Sequence, residues 1–237
     1  MQLFLPKQHG AWAMLIIPFW LGVAATGFLW QHIPFFFGWL LLYLATYPLL
    51  LLFKRKKIPF YTKWTITYIV PAIALLLIVL FARPSVAYFG LLMIPFFGIN
   101  AYYSSKNQDR AFLNDISAIL AFSIAGLASG YLYNGTISSD MVLVFAASIL
   151  FFIGSTFYVK TMIREKRNQT FKWVSWGFHA LVLVLWAILA EWVVLAAFIP
   201  SLIRAIYMYG RPYSAKQVGI FEIVNATIFF IIIVVAL

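Results

Sequence analysis

The sequence predicts an all-α polytopic membrane protein, a bundle of nine transmembrane helices with its N-terminus cytoplasmic and its C-terminus outside. Three observations carry that expectation. The 237 residues are 65% hydrophobic and only 10% charged, too little polar surface to cover a soluble domain of this length. The apolar residues fall into runs close to the ~20 residues that cross a ~30 Å hydrocarbon core. When those runs are threaded alternately, sixteen of the seventeen Lys and Arg residues fall on one side. Cytoplasmic loops retain Lys and Arg, so that side is the cytoplasm.

The first run, Ala11–Trp30, follows Lys7. It is long enough to span, and a second run follows almost at once, so it reads as a retained helix rather than a cleaved signal. Beyond His32 and Pro34, the second run is Phe35–Phe53, which ends at Lys54-Arg55-Lys56-Lys57 with Lys63 further on. A basic run of this kind beside a membrane is an anchor for anionic headgroups. Trp64–Phe81 returns the chain to the outer side at Arg83-Pro84, where Arg83 is the single outer cation.

Val86–Tyr103 leads back to Lys106 and Arg110, and Asp115–Tyr133 leads out to the Asn134-Gly135 turn. Met141–Val159 returns the chain to Lys160, Arg164, Lys166, Arg167 and Lys172. Trp173–Leu189 and Trp192–Met208 are separated only by Ala190 and Glu191, neither a turn former. One long broken helix there would carry Arg211 and Lys216 outside, so the charge pattern favours two crossings. Arg204, Arg211 and Lys216 precede the last run, Val218–Leu237. Uninterrupted apolar runs of this length are helices rather than barrel strands. The outer loops are short, so residues 1–237 are expected to form one transmembrane domain.

Composition also excludes functions. With no Cys there is no disulfide framework, thiolate metal site or thiol nucleophile. The net charge of +11 would suggest nucleic acid in a soluble protein. Here the cations sit in short turns between apolar runs and face lipid headgroups or anionic ligands instead. The expected partners are therefore the lipid bilayer and an amphiphilic small molecule; no segment identifies a protein partner.

Polar residues inside the spans are costly and need a partner or a purpose. Arg204 and Glu222 sit at matched depth in the last two spans, which predicts an ion pair, with Asn225 on the Glu222 face at i+3. A helix–helix clamp is favoured there over a ligand or proton site. His179 is expected to be neutral and hydrogen-bonded across the bundle, and no metal site is expected. Asn100 is expected to bond between helices. Gly126 and Gly130, with Ser123, Ala125 and Ser129, form a strip on which two backbones can approach, and Gly22 with Thr26 gives a weaker version. Pro18, Pro48, Pro71, Pro95 and Pro200 fall within five spans.

The cytoplasmic face gathers the candidate chemistry. If the sixth span continues helically, Lys160, Arg164 and Arg167 lie on one stripe that suits a phosphate or diphosphate. Lys7, Arg110 and Arg211 are further candidates for the same anion. Asn114 or Asp115 would cap the fifth span, with Asp115 also counted in the anion and substrate set. Arg110 would pair with Asp109 or reach ligand. His9 and Glu165 are the candidate general acids or bases.

The opening Pro6-Lys7-Gln8-His9-Gly10-Ala11-Trp12-Ala13-Met14 resembles the start of the YwiC-like family of bacterial membrane proteins. The Arg164-Glu165-Lys166 region, Arg211-Pro212 and the Gly219–Glu222 stretch look like later motifs of the same family, which implies no established activity. More distantly, the nine-helix plan resembles the UbiA superfamily of intramembrane prenyltransferases, with Asn114 through Gly135 similar to the corresponding region of those enzymes. That resemblance implies two aspartate-rich motifs, after the second and sixth spans, holding Mg²⁺ on a prenyl diphosphate. This sequence has Lys54–Lys63 without a carboxylate at the first place and only Glu165 among five cations at the second. Mg²⁺ chemistry of that kind is not expected here, and no other cofactor is indicated.

Three function classes follow: a protein that binds or modifies an amphiphilic anion such as an isoprenoid, quinone precursor or lipid headgroup; a small-molecule transporter or permease; or an accessory subunit of a membrane complex. The first is favoured. The chain would be a multi-pass protein of the bacterial cytoplasmic membrane. Whether it is an enzyme is left open; if so, it would be one of the prenyl- or lipid-group-transferase kind.

Overall fold

The computed structural model describes residues 4–5, 10–55 and 57–237. Among them are nine α-helices and no strand: α1 (Gly10–Thr26), α2 (His32–Phe53), α3 (Ile58–Ala82), α4 (Ala87–Ser105), α5 (Phe112–Asn134), α6 (Ser139–Ile163), α7 (Gln169–Ile188), α8 (Trp192–Tyr207) and α9 (Ala215–Ala236). Seven are long and apolar enough to cross a membrane. The other two, α1 and α8, have 17 and 16 residues. They rise only about 24–26 Å, a little under the hydrocarbon thickness. Large apolar side chains face outwards, among them Phe81 at 86%, Val235 at 77% and Ile188 at 76% exposure. These features describe a multi-pass membrane protein.

Several helices outrun the apolar stretches that announce them. Pro59, whose missing N–H costs nothing in a first turn, lets α3 start at Ile58, so Lys63 lies within the helix. The Asn168 side chain accepts from the Phe171 N–H and starts α7 before its first Trp. Ser214 and Gln217 form a capping box for α9. In contrast, α1 stops at Thr26, where Gly27 takes a φ of +126°. All five intrahelical prolines are carried within continuous helices.

The expected cap of α5 is different. The helix begins at Phe112, with Ala111 before it and no side-chain cap. Asn114 is therefore already inside the first turn, and its amide donates back to the Asp109 carbonyl at 2.8 Å. Asp115 also lies in that first turn, where a carboxylate suits the positive end of the helix dipole.

The chain divides into two compact units, Met1–Phe145 and Ala146–Leu237. In the first, α1 and α5 run parallel along their small residues. A side chain on Gly22 would overlap the Gly126 carbonyl, and one on Gly126 would meet the Pro18 carbonyl at 2.6 Å. Ser129 Oγ donates to the Phe19 carbonyl at 2.7 Å, and Thr26 Oγ1 donates to the Gly130 carbonyl at 3.1 Å. The His32 ring pairs through Nε2 with the Ser129 carbonyl at 2.9 Å. Close backbone approach and cross-helix hydrogen bonds replace the hydrophobic drive that lipid cannot supply.

Elsewhere in this unit Asn100 donates to Ser117 Oγ at 2.8 Å, the interhelical bond expected of it. Lys54 pairs with Asp109 at 3.0 Å, tying the α2–α3 and α4–α5 turns to one end. At the opposite end Arg83 donates to the carbonyls of Leu132 and Tyr133 at 3.0 and 3.3 Å. It thereby caps the C-terminus of α5, where Gly135 takes a left-handed turn.

In the second unit the helices alternate in direction. Ala190 adopts a φ of +59°, and the Glu191 N–H bonds to the Trp186 carbonyl at 3.0 Å. This breaks the chain into α7 and α8, two antiparallel helices rather than one. Trp176 Nε1 donates to the Ala205 carbonyl at 3.0 Å, joining the start of α7 to the end of α8. Phe151 of α6 stacks on Phe229 of α9, with ring centroids 4.0 Å apart.

Candidate functional site

The second unit concentrates the buried polar chemistry. Arg204 of α8, 6% exposed, pairs through Nη1 with Glu222 of α9, and the carboxylate side chain is 18% exposed. The guanidinium also lies over the Tyr158 ring of α6, 3.9 Å from its centroid. One antiparallel step deeper, Asn225 donates to Ser201 Oγ at 2.9 Å. The matched depths read from the sequence therefore do produce an ion pair with Asn225 beside it.

Arg204 Nε and Nη2 are buried and have no hydrogen-bond partner among the described residues, and the same holds for His179 Nε2 and Ser148 Oγ. The Ser155 hydroxyl lies beside the Glu222 carboxylate without a well-formed hydrogen bond. His179, 4% exposed, bonds through Nδ1 to the Ser175 carbonyl of its own helix at 2.7 Å rather than across the bundle as expected. A mid-helix imidazole reaches the carbonyl one turn back more easily than a neighbouring helix. Its Nε2 points at Gly154 of α6, where an added Cβ would sit 3.1 Å away.

At the end of this unit where α6 stops and α9 starts lies a recess of about 250 Å³ lined by Thr161, Met162, Lys166, Gly210, Arg211 and Pro212. Tyr158, Met162, Ala205 and Val218 form the buried apolar layer to which Met162 belongs. The Tyr158 hydroxyl donates to Met208 Sδ at 3.1 Å. The Arg211 guanidinium lies over the Tyr207 ring, 3.7 Å from its centroid. The phenol groups of Tyr207 and then Tyr213 favour its charged form and lift it above the usual guanidinium value. Two cations, a hydroxyl and no carboxylate line this recess, an arrangement suited to an oxyanion.

Lys7 and His9 lie outside the described residues. Arg110 and Asp115 belong to the first unit, at its α4–α5 turn. Lys160 lies in the last turn of α6, half-buried. The helix ends at Ile163, and the N–H groups of Arg164 and Glu165 both close on the Lys160 carbonyl at 2.9 and 2.8 Å. Arg164 and Arg167 thus sit in the turn, and the helical stripe with Lys160 does not form.

Glu165 accepts from the Asn168 side chain at 2.9 Å, so it supports the start of α7. Arg211 lines the recess together with Lys166, a cation outside the expected stripe. Thr161 and Met162 also line it without having been expected there; the Gly210-Arg211-Pro212 turn was the available signal. Lys172 is held among aromatic faces, 4.4 Å from the Trp173 centroid and 5.2 Å from that of Trp176.

A family profile described as "YwiC-like protein" matches residues 5–130. A Bacillus subtilis protein called "Uncharacterized protein YwiC" is 44% identical over 229 residues, covering 97% of this chain and 96% of its own length. A Haemophilus influenzae "Uncharacterized protein" is 37% identical over 236 residues, covering 100% of this chain and 99% of the relative. No solved structure matches the chain. With the profile spanning more than half of its residues and relatives aligned from end to end, the chain belongs to the YwiC-like family.

Proposed function

We propose that this is a bacterial cytoplasmic-membrane protein that binds an amphiphilic anion, a phosphate-bearing lipid or isoprenoid, with the charged group in the Lys166–Arg211 recess. The observation that carries the reading is the composition of that recess, cationic at the rim and apolar where Met162 joins the buried layer. A headgroup would meet Lys166, Arg211 and the Thr161 hydroxyl, while its tail lies along apolar helix faces. Lys160, Arg164 and Arg167 lie in the same turn region and raise the local positive potential. The cations neutralise the anion directly, so the reading needs no Mg²⁺ and does not follow the aspartate-rich chemistry that a UbiA-like plan implies. A cytoplasmic recess is supported by the distribution of Lys and Arg along the chain.

Mass spectrometry of gently purified protein tests the proposal by identifying co-purified amphiphiles. Lys166→Glu with Arg211→Glu is expected to strip a phosphate-bearing species that wild type retains. Retention of the same species by the double variant refutes the recess. A transporter reading is favoured by the buried, unpartnered Arg204 and His179 nitrogens. A proteoliposome flux assay comparing wild type with Glu222→Gln separates it from simple binding.

A further inference from the structure

Arg204 uses only one of its faces. Nη1 meets Glu222, and the aromatic ring of Tyr158 covers the plane. Nε and Nη2, which project from the same edge of a guanidinium, are buried and unpartnered among the described residues. That edge is the two-pronged donor that fits a pair of oxygens on a phosphate or carboxylate. Arg204 lies three residues from the end of α8, and the turn that follows carries Gly210 and Arg211 of the recess. Tyr158, which Arg204 covers, and Met162, which lines the recess, are one turn apart on α6 and pack in one buried cluster.

We infer that Arg204 is the inner contact for an oxyanion entering from the recess, and that Glu222 takes up one proton as the anion arrives. The inference rests on the binding reading above. The second half follows from charge. Arg204 and Glu222 are neutral as a pair, and an anion that passes the recess cations Lys166 and Arg211 to reach Arg204 would leave a net negative charge there in a region of low dielectric.

Among the described residues, the electrostatic neighbours of Glu222 include one cation, Arg204. They are Arg204 on α8, with Ser155 and Tyr158 on α6. Tyr213 lies near Tyr158, and His179 on α7 is within electrostatic range of Arg204. A proton from solvent placed on one Glu222 oxygen restores neutrality, and its other oxygen still accepts from Arg204 Nη1. Binding is then coupled to proton uptake with no bond made or broken in the ligand.

Calorimetric titration of the full-length protein, in two buffers of different ionisation enthalpy near neutral pH, counts protons per anion bound. Dioctanoyl phosphatidylglycerol and dimethyl phosphate are the probes; each carries one permanent negative charge, so any proton counted belongs to the protein. Wild type is expected to take up about one proton per anion. Arg204→Lys, which keeps charge but loses the two-pronged edge, should weaken binding at least about tenfold.

Glu222→Gln should bind the probe and take up none, which keeps the inference testable if Arg204→Lys fails to elute as a monodisperse species. Proton uptake with the lipid probe alone marks the ligand as an amphiphile; uptake with both probes marks a free oxyanion, and either supports the contact. Binding by wild type without proton uptake overturns it, as does an Arg204→Lys affinity equal to wild type, the result expected if water alone fills that edge. If Lys166→Glu with Arg211→Glu abolishes binding while Arg204→Lys does not, the recess stands and the inner contact falls. If wild type binds neither probe, the recess reading falls as well.

Discussion

Replacing Gly126 with alanine adds one methyl group at the tightest seam of the first unit. The new Cβ would lie 2.6 Å from the Pro18 carbonyl oxygen and 2.9 Å from its carbon, both backbone atoms that cannot rotate aside. An ordinary C···O contact is about 3.3 Å, so α1 and α5 must part by about 0.7 Å. Overpacking of this kind costs about 1–3 kcal/mol. Separation also stretches the bonds from Ser129 to Phe19 and from Thr26 to Gly130, each worth about 0.6 kcal/mol in a membrane. The gain in helix propensity returns about 1 kcal/mol, leaving a net loss of about 1–3 kcal/mol.

The control is Gly98→Ala, where a Cβ meets nothing within 4 Å and only the propensity gain applies. Thermal unfolding of both purified variants in one detergent should place Gly126→Ala below wild type by about 5 °C and Gly98→Ala at or slightly above it. A Gly126→Ala protein as stable as the Gly98→Ala control would refute the close-packed seam.

Other expectations follow from single contacts. Glu222→Leu or Arg204→Met alone should cost about 3–5 kcal/mol, whereas the double variant should return close to wild-type stability, because a lone buried charge is worse than none; equal costs for singles and double on thermal unfolding would argue against a pair. Arg83→Ala removes the cation at the end of α5 and should cost about 1 kcal/mol, read as faster amide exchange at Tyr131–Gly135. Ala190→Gly relieves a left-handed alanine and should raise stability by about 0.5–1 kcal/mol; a fall in Tm would contradict that conformation. Because the chain has no Cys, single cysteines can report sidedness directly. Those at Lys57, Arg110, Lys166 and Arg211 should react with an impermeant reagent from one side and one at Ser138 from the other.

Helices are easy to see in this sequence because a long apolar run in lipid has only one way to satisfy its backbone. Their ends are harder, since they depend on caps. Asn168 and Ser214 extend α7 and α9 beyond the apolar edge, and Lys160 closes α6 before Arg164 can join it. The Gly126–Gly130 strip was visible as composition, and its partner Gly22 was half seen, because small residues at a spacing of four say what can pack but not against which helix. Arg204 with Glu222 was predictable from depth alone, since an unpaired charge at that level is too costly to keep. Arg83 was not recognised as a cap, because sequence shows it only as an exception to the charge rule and its acceptors lie 49 and 50 residues away. The recess escaped for a similar reason: it is made by two turns that only the antiparallel path of α6 to α9 brings together.

The parallel contact of α1 with α5 also sets a schedule for biosynthesis. Its hydrogen bonds join residues 104 to 110 positions apart, and at about 5–20 residues per second a ribosome needs about 5–20 s to cover that distance. Throughout that interval the glycine face of α1 waits in the bilayer without its mate, while α2, α3 and α4 are inserted. Whatever shelters that face during translation, a translocon wall or lipid alone, must release it readily, because the seam it later forms leaves no room for a methyl group.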